Sequence, residues 1–230
     1  MIADKLAEVH RRIASACAGA GRPVQSVTLL VVSKTFAATA VREAFVAGER
    51  RFGENHVQEG IDKSEALSDL RSQIEWHLIG PLQSNKTRLA AECFDWVHSV
   101  DRLKIAERLS AQRPAHLPPL SVCLQVNISG EASKAGFAPA EVSAAARAVA
   151  ALPRLTLRGL MAIPEPAVDF NAQRQPHRAL RKLFEALRRD GLPLDTLSMG
   201  MSADLEAAIA EGATMVRVGS AIFGGRSMAG

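Results

Sequence analysis

The sequence predicts an α/β fold, a closed (β/α)8 TIM barrel with an extra N-terminal helix, and three observations lead there. Short β-like runs alternate with helical ones eight times over, the pattern of a parallel sheet that closes on itself. After a leader helix about 200 residues remain, the compact end of the range for such a barrel. No Gly-x-Gly-x-x-Gly follows the first β-like run, which counts against an open doubly wound sheet.

The elements follow in order. Residues 2–18 carry Ile2, Leu6, Val9, Ile13 and Ala16 at helical spacing, and Gly19 and Gly21 end that run. Strands are expected at 27–33, 51–53, 74–79, 95–99, 120–127, 155–162, 195–199 and 214–218. Helical periodicity falls between them at 39–47, 83–92, 102–111, 139–152, 176–190 and 203–211. Pro114, Pro118 and Pro119 mark the entry to the fifth strand, and Ala162-Ile163-Pro164-Glu165-Pro166 reads as the loop after the sixth. No linker or low-complexity tract divides the chain, so one domain over residues 1–230 is expected.

Composition narrows the function classes. The net charge of +4 is a mild excess, and its basic doublets, Arg11-Arg12, Arg50-Arg51 and Arg188-Arg189, are scattered. With no tyrosine to interleave with them, a nucleic-acid platform is disfavoured. No apolar stretch reaches the ~18 to 20 residues of a membrane span, and the first residues lack the pattern of a secretory signal. A soluble cytoplasmic protein is expected. Cys17, Cys93 and Cys123 form no CxxC pair and read as buried hydrophobes in a reducing compartment. The six histidines form no HxH or HExxH pattern, so no metal site is expected.

In such a barrel, functional groups gather at the C-terminal ends of the strands, and phosphate sits between the loops after strands seven and eight. Lys34 ends the first run, Asn55 follows the second, His77 lies in the third, Ser202 follows the seventh and Gly219-Ser220 the eighth. A free lysine has a pKa near ~10.4, and desolvation against the apolar run before Lys34 would free its amine for an electrophile. Ser202 precedes Ala203-Asp204-Leu205-Glu206 and is expected to N-cap a helix, where an anion would be favoured. Arg217 lies inside an apolar strand and needs a partner, either a carboxylate such as Glu54 or a ring nitrogen of a ligand. A lysine facing a phosphorylated aldehyde is the chemistry these positions suggest.

The segments Leu30-Val31-Val32-Ser33-Lys34-Thr35, Phe52-Gly53-Glu54-Asn55, Trp76-His77-Leu78-Ile79-Gly80-Pro81-Leu82-Gln83-Ser84-Asn85-Lys86, Arg158-Gly159-Leu160-Met161, 198–204 and 215–224 carry a closer likeness. Over nearly its whole length the chain resembles the pyridoxal phosphate homeostasis proteins, the YggS/PROSC family, related to the N-terminal barrel of bacterial alanine racemase. The resemblance implies that Lys34 holds pyridoxal 5'-phosphate as an internal aldimine. It implies that Ser202, Gly219 and Ser220 hold the phosphate and that Arg217 faces the pyridine nitrogen. Asn55 would lie near the cofactor, and His77 and Met161 would line the pocket. His56 stands where the family leads one to expect tyrosine, and Ser220 where threonine is common.

An arginine at the ring nitrogen keeps that nitrogen unprotonated and makes the ring a weaker electron sink. Racemases also use a tyrosine from a β-rich second domain, and this sequence contains no tyrosine. The resemblance therefore implies a monomeric cofactor carrier acting in vitamin B6 homeostasis and supplying PLP-dependent apo-enzymes, rather than a catalyst. The rival readings are a low-activity racemase, a Schiff-base aldolase on a phosphosugar, and an interaction module that the cofactor only stabilises.

Overall fold

The structure is a computed structural model and describes residues 1–131 and 134–224. Helix α1 (Ile2–Gly19) buries Leu6, Val9, Ile13 and Cys17 along one face. There follow β1 (Thr28–Val32), α2 (Ala38–Val46), β2 (Arg51–Glu54), α3 (Val57–Ala66), β3 (Glu75–Leu78) and α4 (Thr87–Cys93). Next come β4 (Trp96–Val100), α5 (Leu103–Gln112), β5 (Leu120–Gln125), α6 (Val142–Ala150) and β6 (Leu155–Met161). The chain continues through α7 (Phe170–Arg189), β7 (Thr196–Ser198), α8 (Leu205–Ala210), β8 (Met215–Val218) and α9 (Ser220–Phe223). The eight strands pair in chain order, all parallel, and β1 closes the barrel on β8 from Thr28↔Met215 to Val31↔Val218.

Every expected strand is present, with its ends within two residues of the expected ones. The helices differ more, for physical reasons. No helix was expected where α3 lies, because its buried face carries Gly60 and Lys63 beside Val57 and Ile61, which breaks the apolar stripe. Helix α7 begins at Phe170 rather than 176: the Asp169 carboxylate accepts the Ala172 amide at 2.9 Å and caps it, so Pro176 lies inside the helix. Helix α8 begins at Leu205 with Asp204 before it, so Ser202 is not its N-cap.

Two apolar regions result. The large core lies between the outside of the barrel and the helices, and includes Phe52, Trp76, Phe94, Ile105, Leu109 and Leu160. Burying each such side chain contributes roughly 1.5–3 kcal/mol. The barrel interior holds two small clusters, Leu30/Val32/Ile79/Met215 and Trp96/Cys123/Met161. Polar side chains of β3, β4, β7 and β8, namely His77, His98, Ser198 and Arg217, are buried with them. Arg22, in the turn after α1, braces the α8–β8 connection by donating to the carbonyls of Ile209 at 2.7 Å and Ala213 at 2.8 Å.

Candidate functional site

The C-terminal mouth of the barrel opens on a cavity of about 470 Å3. Its wall brings together Lys34, Asn55, Ser202, Arg217, Gly219 and Ser220, six of the eight residues singled out in the sequence. His77 and Met161 are not among its lining residues. Both are fully buried below the mouth, His77 stacked on Trp96 and Met161 packed against Trp96 and Cys123. His77 is engaged with His98 and Glu75 and Met161 with its apolar neighbours, so neither side chain faces the cavity. A wider hollow of about 1090 Å3 lies at the opposite, N-terminal end. Its arginines are engaged within the protein, Arg51 with Glu75, Arg71 with Asp95 and Arg113 with the carbonyls of Ala91 and Phe94.

Lys34 is exposed at the mouth, not desolvated as its apolar approach suggested. What is buried is the apparatus behind it. Ser33 donates its hydroxyl to Glu54 at 2.5 Å, and its carbonyl accepts from Lys63 at 2.6 Å. The Lys63 ammonium also reaches Glu54 at 2.7 Å and Glu59 at 2.8 Å, and Glu59 accepts the backbone N–H of Thr35. Thr35 has φ of 68°, the one non-glycine residue with positive φ among those described. Such a conformation costs of order 1 kcal/mol or more and persists only where its surroundings impose it. The α3 carboxylate and ammonium impose it here, and so fix the direction in which β1 delivers Lys34. Burial pushes the Glu54 carboxyl up, against the lowering pull of Lys63 and Ser33. Glu54 therefore serves Lys63 and is not the partner of Arg217.

The opposite wall is built from the turns after β7 and β8. Gly200, at φ of 92°, starts the first turn, where the Met201 amide donates to Asp204 at 2.7 Å. Burial would raise the Asp204 carboxyl, but hydrogen bonds from His177 and the Met201 amide outweigh it and hold it below the usual range. The turn exposes Ser202, whose hydroxyl accepts from that of Ser220 at 3.1 Å. Arg12 of α1 steadies the same turn, donating to the Ser202 carbonyl at 2.9 Å and to Glu206 at 2.8 and 3.0 Å. Gly219 lies so close to β1 that a Cβ there would stand 2.7 Å from the Val32 carbonyl oxygen. Two hydroxyls and an uncovered backbone facing one space make a cradle for an oxyanion.

Arg217 forms the floor, 3% exposed. Its Nη1 donates to the carbonyl and hydroxyl of Ser198, at 2.6 and 2.8 Å, and its Nη2 to the Ala162 carbonyl at 2.9 Å. Its partners are thus neutral oxygens rather than the carboxylate the strand context suggested. A guanidinium has five N–H donors, and these bonds use three. Burial lowers its pKa to about 10, which leaves it charged at neutral pH. Sequence reasoning missed the apolar residues that complete the cavity, Ile79, Ile163 and Met201 among them, and the Lys63 clamp.

Comparison with known proteins places the chain in a family. The family described as alanine racemase, N-terminal domain, matches residues 5–227. The pyridoxal phosphate homeostasis protein of Pseudomonas aeruginosa is 61% identical over 225 residues, covering 98% of this chain and 96% of that protein. The chain belongs to the pyridoxal phosphate homeostasis family. A solved structure similar to this member of the family is PipY of Synechococcus elongatus with PLP bound, 40% identical at a TM-score of 0.85, covering 97% of this chain and 100% of that one. Alanine racemase of Clostridium difficile matches with a TM-score of 0.72 at 13% identity, covering 57% of that chain, and shares the barrel fold with the homeostasis family.

Proposed function

We propose that this chain binds pyridoxal 5'-phosphate in the C-terminal cavity and acts in vitamin B6 homeostasis as a reversible store of the cofactor, held covalently by Lys34. The observation that carries the reading is the convergence on one cavity of an accessible amine, a hydroxyl-lined oxyanion cradle and a buried guanidinium with donors to spare. When bound, pyridoxal phosphate supplies an aldehyde that condenses reversibly with an amine and loses water.

The residues divide the work by position. Lys34 supplies the amine from a backbone clamped by Lys63 and Glu59, at a place where incoming amines can compete with it. Ser202 and Ser220 donate to the phosphate, and Gly219 lets it approach the backbone. Asn55, beside them, offers a side-chain amide to the ring's substituents. Arg217 has donors only, so it presents an N–H to the ring nitrogen and keeps a proton off it. That weakens electron withdrawal by the ring and favours holding the cofactor over transforming substrates. The recipients are PLP-dependent apo-enzymes, to which a monomeric carrier in the cytoplasm would pass the cofactor.

The test is the visible absorption spectrum of the purified protein with pyridoxal phosphate, before and after borohydride, beside Lys34→Ala. A yellow band that borohydride fixes onto Lys34 and that the variant lacks is the expected result. A protein that stays colourless with added cofactor overturns the reading. Transfer to an apo-enzyme faster than free release would separate a carrier from a passive store.

A further inference from the structure

Below the cavity, one chain of hydrogen bonds runs down the inside of the barrel. Arg217 Nη1 donates to the Ser198 hydroxyl oxygen at 2.8 Å. The same hydroxyl lies 2.8 Å from His98 Nδ1, His98 Nε2 lies 2.9 Å from His77 Nδ1, and His77 Nε2 lies 2.9 Å from Glu75 Oε1. Ser198, His98 and His77 are fully buried, whereas the Glu75 side chain is 40% exposed at the opposite mouth, where Arg51 meets it at 3.2 Å. Four strands contribute: β3, β4, β7 and β8.

The links admit one arrangement of protons. Burial raises the Glu75 carboxyl, but the hydrogen bond from His77 and the nearby Arg51 outweigh it and hold it below its usual range, so at neutral pH Glu75 only accepts. His77 must therefore donate through Nε2. Burial lowers the pKa of both imidazoles and keeps them neutral, so each ring has one donor and one acceptor. His77 Nδ1 then accepts from His98 Nε2, and His98 Nδ1 accepts from the Ser198 hydroxyl. The Ser198 oxygen is left to accept from Arg217. Every proton points away from the arginine, toward Glu75.

We propose that Ser198, His98, His77 and Glu75 are positioning residues that fix Arg217 in a donor orientation toward the cofactor ring and couple that ring to the opposite mouth of the barrel. This rests on the reading that the cavity holds pyridoxal phosphate. If Glu75 is removed, the chain can invert, and the Ser198 oxygen then meets two donors, His98 and Arg217. Arg217 then shares that oxygen with His98 and is held less firmly, although the change lies at the far end of the strands. A relay of this kind gains from mutual polarisation in a low dielectric, and is correspondingly sensitive to loss of one member.

The experiment begins with cofactor-free protein labelled with 15N-histidine, in which NMR assigns ring tautomers. Both His77 and His98 are expected as neutral Nε2–H forms; an Nδ1–H or doubly protonated form of either overturns the relay. Pyridoxal phosphate is then added. The expected result is a shift of both rings in the wild type, loss of the His77 shift in Ser198→Ala while the Lys34 adduct still forms, and its return in Ser198→Thr. Rings that do not move on uptake overturn the coupling. Failure of uptake instead overturns the reading of the cavity, with the tautomer result still standing. Glu75→Ala, at a partly exposed site, gives a second measure. Cofactor release should be about threefold to tenfold faster, the size of one hydrogen bond's net contribution, and restored in Glu75→Gln, whose amide oxygen accepts. Unchanged release in Glu75→Ala overturns the proposal.

Discussion

At the residue scale the site depends on a few atoms whose freedom is already spent. Gly219 is the clearest, since any side chain there meets the Val32 carbonyl at 2.7 Å. Gly219→Ala should cost about 1–3 kcal/mol as β1 and β8 part to admit the methyl group. It should weaken cofactor binding further by filling the cradle, which thermal unfolding and cofactor titration would measure side by side. Equal stability and affinity in the variant would show that the approach is not tight. Lys34, Asn55, Ser202, Arg217, Gly219 and Ser220 were legible because strand ends in a parallel barrel share one mouth, and counting strands places them there. His77 was misplaced because sequence gives a residue's strand but not its depth in the barrel. His77 is spent on His98 and Glu75 inside the barrel, which no spacing in the sequence reveals.

At the scale of elements, α3 does the work that sequence periodicity hid. Its Lys63, 6% exposed, is the one cation paired with Glu54 among the described residues, and both lie behind the lysine of the site. Lys63→Met should destabilise the fold by about 3–5 kcal/mol at pH 8, because it leaves a buried carboxylate unpaired. Glu54, already pushed up by burial, can escape that cost by taking a proton. The difference from wild type should therefore shrink at pH 5, as urea unfolding at the two pH values would show; a gap independent of pH would argue that only packing was lost. The helix was illegible for the same reason that it matters, since a buried lysine on a helix face looks like an exposed one until its partners are known. The strands, by contrast, are near-continuous apolar runs, because parallel strands are covered on both sides.

For the molecule as a whole, the buried titratable groups set how stability depends on pH. His77 and His98 are held neutral, below the unfolded value of about 6.5, so the unfolded chain binds protons there that the native chain does not. Stability should start to fall as pH drops through about 6.5. Glu75, Asp204, Glu206 and Glu211 are held below their unfolded value of about 4, so their contribution is complete above that value and disappears below it, down to about 2 for Glu75. Glu54 and Asp101, raised by burial, act in the opposite direction and moderate the decline. Denaturant midpoints from pH 8 to pH 3 should trace two stages; a single carboxylate step would show that the imidazoles titrate normally. The barrel and the mouth that carries the cavity were readable from the sequence, but this pH profile was not, because it arises from distances between residues up to 194 positions apart. The bracing of α8 and α9 by α1 has a consequence for synthesis. Helix α1 docks largely on α8 and α9, segments made much later than itself, so Arg12 waits for Ser202 and Arg22 for Ala213. A nascent chain stalled before α8 should leave α1 open to protease, and release should close it. Until the turn after β8 is made, the growing polypeptide would have no finished cradle in which to capture a reactive aldehyde.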